Sequence, residues 1–119
     1  MNNAEVAAEL VAGCREGRAR ANLQVLYAAD AVSVEAMDMG NGRETHGLAG
    51  IDGKHQWWED NHEITGGDVQ GPYMNGEDRF AVFFTVAGTN KADGKPFTMA
   101  EVGIYQVTDG KIVREEFYY

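Results

Sequence analysis

Apolar residues recur at helical spacing early in the chain and at alternate positions in its second half, which predicts helices first and strands afterwards. Val6, Ala7, Leu10, Val11 and Cys14 fall three and four apart on one helical face, while Glu5, Glu9 and Arg15 lie off it. Asn2 stands three residues before Glu5, the spacing of a capping box in which each residue's side chain accepts from the other's backbone N–H. Gly17 interrupts this pattern, and Ala19, Leu23, Leu26 and Tyr27 begin a second short helix. In "DAVSVEAMDMGNGRETHG", Val32 and Val34 alternate with Ser33 and Glu35, which reads as one strand followed by a loop from about Met37 to Thr45. A third helix fits "GLAGIDGKHQWWEDN", with Leu48, Ile51, His55 and Trp58 on one face, although Gly50 and Gly53 weaken it.

From His62 onward the alternation is of strand type. Stretches near 62–74, 79–90, 96–108 and 111–119 are separated by "NGED", "KADGKP" and "TDG", all rich in turn residues. Strands joined in sequence by short turns make an antiparallel meander, so the expected class is α+β.

Composition narrows the function. The 119 residues suffice for one domain, 1–119, and not for two independent cores. Hydrophobic residues at 44% and charged residues at 24% are ordinary for a folded globular chain. A formal charge of -9 argues against nucleic acid and anionic membranes as partners, since both recruit clustered Lys and Arg. Cys14 is the single cysteine, so no internal disulfide forms. The opening "MNNAEVAAEL" lacks the charged-then-apolar pattern of a signal, and no apolar run approaches the roughly 20 residues of a membrane span. The expected location is the cytoplasm. His46, His55 and His62 do not stand at metal-ligand spacing, and no phosphate-binding glycine loop occurs, so neither a metal nor another cofactor is expected.

The order of elements, with "YAADAVSVEA" after the second helix, "HGLAGI" opening the third and "DGKIVREEFYY" at the end, resembles the SnoaL-like polyketide cyclase and ketosteroid isomerase group of the nuclear transport factor 2-like superfamily. The resemblance spans essentially the whole chain. It implies a cone-shaped α+β barrel, three N-terminal helices packed on a strongly curved antiparallel sheet around a deep apolar pocket. It also implies a homodimer formed through the outer sheet face and a small hydrophobic molecule as ligand. In the isomerases a carboxylate just after the "YADDA"-like stretch is the general base, and that position falls on Glu35. A carboxylate in an apolar pocket is disfavoured in its charged form and gains basicity. The isomerases' two oxyanion donors, a Tyr and a protonated Asp, fall by ungapped count on Leu10 and Gly103, which carry no side-chain donor. The strict ketosteroid mechanism is therefore not expected.

The last hairpin offers other groups. If "TDG" is a three-residue loop, Glu101 pairs with Phe117 and Gly103 with Glu115. Glu101, Tyr105, Glu115, Phe117 and Tyr119 then share the face that the resemblance makes concave. If Asp109-Gly110 is a two-residue turn, the pairing shifts by one, and Arg114, Glu116 and Tyr118 join Glu101 instead. Glu101 is a second acid/base candidate; its structural alternative is an ion pair with Arg79 or Arg114. Glu115 reads more as a structural carboxylate, with Gly103 opposite leaving room for water. His46, before the third helix, is a third acid/base candidate, or simply a polar residue at a helix start. Trp58 reads as core packing or pocket lining, and Met37 and Met39 as an adaptable lid or as ordinary exposed loop residues. Two functions from different classes fit: a cofactor-independent isomerase, cyclase or dehydratase working by proton transfer, and a domain that only binds a small ligand or pairs with a partner.

Overall fold

The computed structural model describes every residue from Met1 to Tyr119. Helix α1 (Asn3–Arg15) and the short α2 (Asn22–Leu26) precede strand β1 (Tyr27–Val34) and the three-residue β2 (Glu44–His46). Helix α3 (Leu48–Asn61) leads into four long strands: β3 (His62–Asn75), β4 (Arg79–Asn90), β5 (Pro96–Thr108) and β6 (Lys111–Tyr118). One sheet holds all six strands in the order β2-β1-β6-β5-β4-β3. Its two end strands do not meet, so the expected barrel is corrected to an open, curved sheet with helices on its concave side. The antiparallel expectation needs one correction too, because β1 runs parallel to β6. No helix is long and apolar enough to cross a membrane.

The α1 stripe behaves as its spacing predicts: Val6, Ala7, Leu10 and Val11 are buried. Asn2 Oδ1 accepts from the Glu5 N–H at 2.9 Å, and Glu5 Oε1 accepts from the Asn2 N–H at 3.0 Å. This capping box satisfies two N–H groups that the first helical turn leaves without intrahelical partners. Asn2→Ala is expected to cost about 1 kcal/mol, read as a lower urea midpoint with an unchanged slope.

Helix and sheet meet where Leu10, Leu23, Leu26 and Ile51 pack on Phe80, Val82, Tyr105 and Ile112. The rings of Phe80 and Tyr105 stack with centroids 4.9 Å apart. Burying each such side chain is worth about 2 kcal/mol, so this contact sets which sheet face is inner. Tyr27 is the first residue of β1 rather than the end of a helix, and β2 occupies part of the expected loop. On α3 only Ile51 is fully buried; Leu48 packs against the core edge, and His55 and Trp58 are half-buried.

The hairpin between β5 and β6 resolves the register differently from either expectation. Asp109 and Gly110 both have positive φ, 52° and 74°, as a two-residue primed turn requires. Thr108 pairs with Lys111 and Val107 with Ile112, but the next pair is Gln106 with Arg114. Val113 is therefore an extra residue on β6, a bulge that steps the register by one. That step restores the face the turn alone would have inverted: Tyr105 pairs with Glu115 and Gly103 with Phe117. Glu115 and Phe117 end on the inner face, as in the first expectation, with partners displaced by two positions.

Candidate functional site

Three carboxyl groups come together on the concave side, from three different strands or strand ends. Glu115 lies on β6 directly beside Ser33 of the parallel strand β1. Ser33 is fully buried and donates to Glu115, so β1 turns its Ala31, Ser33 and Glu35 side towards the site, while Val34 on the other side is buried as well. Glu35 follows directly after the last residue of β1, two positions beyond Ser33 on the same side. Glu101 lies on β5, on the face that carries Gly103 and Tyr105, and is cross-strand neighbour to Phe84 of β4.

Hydrogen bonds divide these carboxyls into two classes. Glu115, only 5% exposed, accepts from the Tyr27 hydroxyl on Oε1 and from the Ser33 hydroxyl on Oε2, the latter at 2.6 Å. Glu35 accepts from the Lys54 ammonium on Oε1 at 2.5 Å and from the Tyr119 hydroxyl on Oε2 at 3.0 Å. Lys54 Nζ also donates to Ser33 Oγ at 2.8 Å, so one chain of bonds links Tyr119, Glu35, Lys54, Ser33, Glu115 and Tyr27. Glu101 has neither an ion pair nor a hydrogen bond. Burial, then the nearby charges of Glu35 and Glu115, raise its carboxyl to about 7 from an ordinary 4.5, with Lys54 acting in the opposite sense. A carboxyl with that proton affinity is half charged near neutral pH and can either give or take a proton.

Tyr105 adds a donor. A Cβ on Gly103 would lie 2.9 Å from Tyr105 Cε2 and 3.0 Å from its hydroxyl, so the ring lies flat over Gly103 and carries its hydroxyl along β5 towards Glu101. The absence of a side chain at position 103, which removes one donor expected of an isomerase, is what admits another. Burial followed by the Glu115 charge holds the Tyr105 hydroxyl well above its ordinary value, so it stays protonated and able to donate. Burial first, then Glu115, does the same to Tyr27.

The remaining candidates separate. Phe117 faces the site, with Lys54 Nζ 5.7 Å from its ring centroid. Tyr119 reaches it through Glu35. Trp58 stacks on His62 with centroids 4.0 Å apart and meets Phe97 edge-on at 5.9 Å, an aromatic group where α3 runs into β3. His46 sits on the edge strand, exposed, with Nε2 3.1 Å from Glu44, and is not brought to the carboxyls. Met37 and Met39 are 56% and 78% exposed on a loop that Asp38 organises by accepting from the N–H groups of Gly40 and Gly42. The structural alternatives fare differently. Arg114 lies on the outer face and pairs with Glu116 at 3.3 Å, so neither it nor Arg79 neutralises Glu101. Gly103 lies opposite Phe117 rather than Glu115, and the groups that bond Glu115 are the Tyr27 and Ser33 hydroxyls.

Tyr27, Ser33 and Lys54 were not among the candidates. Lys54 carries one usable signal, its position three residues after Ile51 on the inward side of α3, and Ser33 carries another, its position two residues before Glu35 on the same strand side. Two hollows lie away from the carboxyls. One of about 120 Å³ on the outer sheet face is lined by Arg79, Gln106, Arg114 and Tyr118. Another, beside the start of α1, is lined by Asn2, Asn3, Met74 and Gly110.

Comparison with known proteins bears on this arrangement. A family model described as a SnoaL-like domain matches residues 1–119. Among solved structures, a Mesorhizobium loti protein described as a SnoaL-like polyketide cyclase is 43% identical, with a TM-score of 0.92 and 100% of each chain covered. A Bacillus subtilis protein described as an isomerase is 20% identical, with a TM-score of 0.80, covering 99% of this chain and 88% of that one. TerC, co-crystallised with polyporic acid, is 24% identical, with a TM-score of 0.75, covering 98% and 90%. The latter two share the fold. No curated protein matches the chain.

Proposed function

Because the chain belongs to the SnoaL-like family, we propose that it is a cofactor-independent acid/base catalyst, a cyclase or isomerase acting on an apolar molecule with an enolisable carbonyl. The observation that carries this reading is Glu101, a half-buried carboxyl with no partner in the protein and a proton affinity poised near neutral pH. Ionised Glu101 takes a proton from the carbon next to the substrate carbonyl, and the C–H electron pair moves into the enolate. The Tyr105 hydroxyl donates to the oxygen on which that charge develops. Protonated Glu101 then returns the proton to a different carbon, which completes an isomerisation. Alternatively, the enolate carbon attacks a second carbonyl carbon of the same molecule, the C=O π pair moves onto that oxygen and takes the proton held by Glu101, and a ring closes as an aldol.

The same chemistry gives different roles to the other carboxyls. Glu35, the position that the isomerase resemblance marks as base, is held by Lys54 and Tyr119, and Glu115 by Tyr27 and Ser33. Both serve to shape the field around Glu101. Phe84, cross-strand neighbour of Glu101, and Phe117 supply apolar contact for a substrate.

The test uses solvent exchange, which needs no knowledge of the product. A panel of apolar aryl ketones and diketones is incubated with the protein in deuterium oxide, and uptake of deuterium next to the carbonyl is followed by mass spectrometry. Exchange above the buffer rate is expected, rising with pH through about 7 and falling at least about 100-fold in Glu101→Gln. Equal exchange by the wild type and Glu101→Gln would remove Glu101 from the mechanism. Saturable binding of panel members without any exchange would establish the ligand-binding alternative.

A further inference from the structure

The concave side holds more carboxyls than cations, and the way they are shared is specific. Among the titratable groups facing this region, most are neutral at pH 7. Burial pushes the Cys14 thiol of α1 up to about 11 and raises the hydroxyls of Tyr27 on β1 and Tyr105 on β5. Burial lowers His55 of α3, beside the Arg20–Asp52 pair, below its ordinary 6.5. Tyr119, raised first by burial and then by Glu35, is also neutral. What remains is one ammonium, Lys54, set among Glu35, Glu101 and Glu115.

Lys54 occupies two of its three N–H donors on the way to two of those carboxyls: directly to Glu35 at 2.5 Å, and to Ser33 at 2.8 Å, whose hydroxyl then donates to Glu115 at 2.6 Å. Every oxygen of Glu35 and Glu115 accepts a bond from the protein, and neither oxygen of Glu101 does. We propose that Lys54 is a positioning residue that holds Glu35 and Glu115 in place through this bridge and so makes Glu101 the one carboxyl of the site that exchanges its proton. This inference rests on the proton-transfer reading above and adds a residue that acts through others without needing to touch substrate. The electrostatics follow from the geometry. An ammonium kept at Glu35 offsets that carboxylate's repulsion of Glu101, so the proton affinity of Glu101 depends on Lys54 being charged and in place.

The test is a carboxyl-detected NMR titration of the full chain, following Glu101 in the wild type, Lys54→Met, Lys54→Arg and Glu35→Gln. The wild-type midpoint is expected near 7. Lys54→Met should move it up by about one pH unit or more, because Glu35 is then an uncompensated neighbour, and Lys54→Arg should return it most of the way. Glu35→Gln should move it down by about one unit, which gives a reading in the opposite direction even if Lys54→Met folds poorly. A Glu101 midpoint indifferent to both Lys54→Met and Glu35→Gln overturns the inference, as does a Lys54→Arg variant that behaves like Lys54→Met. The two readings fail separately. A wild-type Glu101 that titrates like an ordinary carboxyl sinks the proton-transfer function, whereas a midpoint near 7 that ignores Lys54 sinks only the role given to the lysine.

Discussion

Glu115→Leu should lower folding stability by about 3–5 kcal/mol, the largest effect expected of any single change in this site. The carboxylate is 5% exposed, and its oxygens are the acceptors for Tyr27 and Ser33. Leucine fills much of the space but accepts nothing, so two buried hydroxyls lose their partner at about 1–3 kcal/mol each. Lys54 loses the distant half of the charge it balances, since Ser33 no longer passes its bond on to an anion. The cost belongs to the unmatched partners rather than to the ion itself, which makes a sharper test possible. Tyr27→Phe and Ser33→Ala combined with Glu115→Leu should recover a large part of the loss, because neither buried hydroxyl is then left without its acceptor. Thermal or urea unfolding at pH 7 measures all three proteins. Additive losses across the set would show that the network is not coupled, and a Glu115→Leu variant as stable as wild type would show that Glu115 is solvated in solution.

The positions of the long strands were legible because they need only local information. Alternation over 79–90 and 96–108, with Gly, Asn and Asp between, predicts strands whose ends match those observed. Tyr27 was misplaced because it stands four residues after Leu23 and so continues a helical stripe, while its actual strand partner, Ile112, lies at the other end of the chain. The three residues of β2 are too few to show a period. The bulge at Val113 leaves no mark either, since valine is an ordinary strand residue and the bulge is set by pairing with β5. Which face Glu115 occupies could be reached through the resemblance, although its cross-strand partner could not.

The site divides along the same line. Glu101, Tyr105, Glu115 and Phe117 share one hairpin, so their common face follows from period-two geometry. Glu35 came from a motif that resembles the isomerases'. Lys54 and Ser33 come from α3 and β1, and nothing local announces that a lysine on a helix will reach a serine twenty-one residues earlier. Whether Glu101 was ion-paired or free depended on Arg114 lying on the outer face, which is again decided by the bulge. The chemistry of the site therefore follows from a one-residue irregularity that carries no chemistry of its own.

Glu101→Gln should make the protein more stable at high pH and leave it unchanged at low pH. The folded-state value of about 7 against an ordinary 4.5 means that the native protein binds the Glu101 proton more tightly than the unfolded chain does. Stability from this group is accordingly complete below about pH 4.5, declines as pH rises through the interval to about 7, and is absent above it. The difference corresponds to about 3 kcal/mol, which glutamine recovers because it is neutral at every pH. Urea unfolding of both proteins at pH 4 and pH 8.5 should show equal stabilities at the first and a gain of up to about 3 kcal/mol for the variant at the second. A gain of the same size at both pH values would trace to packing, and no gain at either would mean that the carboxyl is solvated. The expected pattern ties stability to function. At pH 8.5 the wild type keeps an ionised, partly buried carboxylate without a partner, and that unsatisfied charge is the feature a substrate proton relieves. A variant that is more stable at high pH yet loses deuterium exchange would show that the destabilising group and the catalytic group are the same residue.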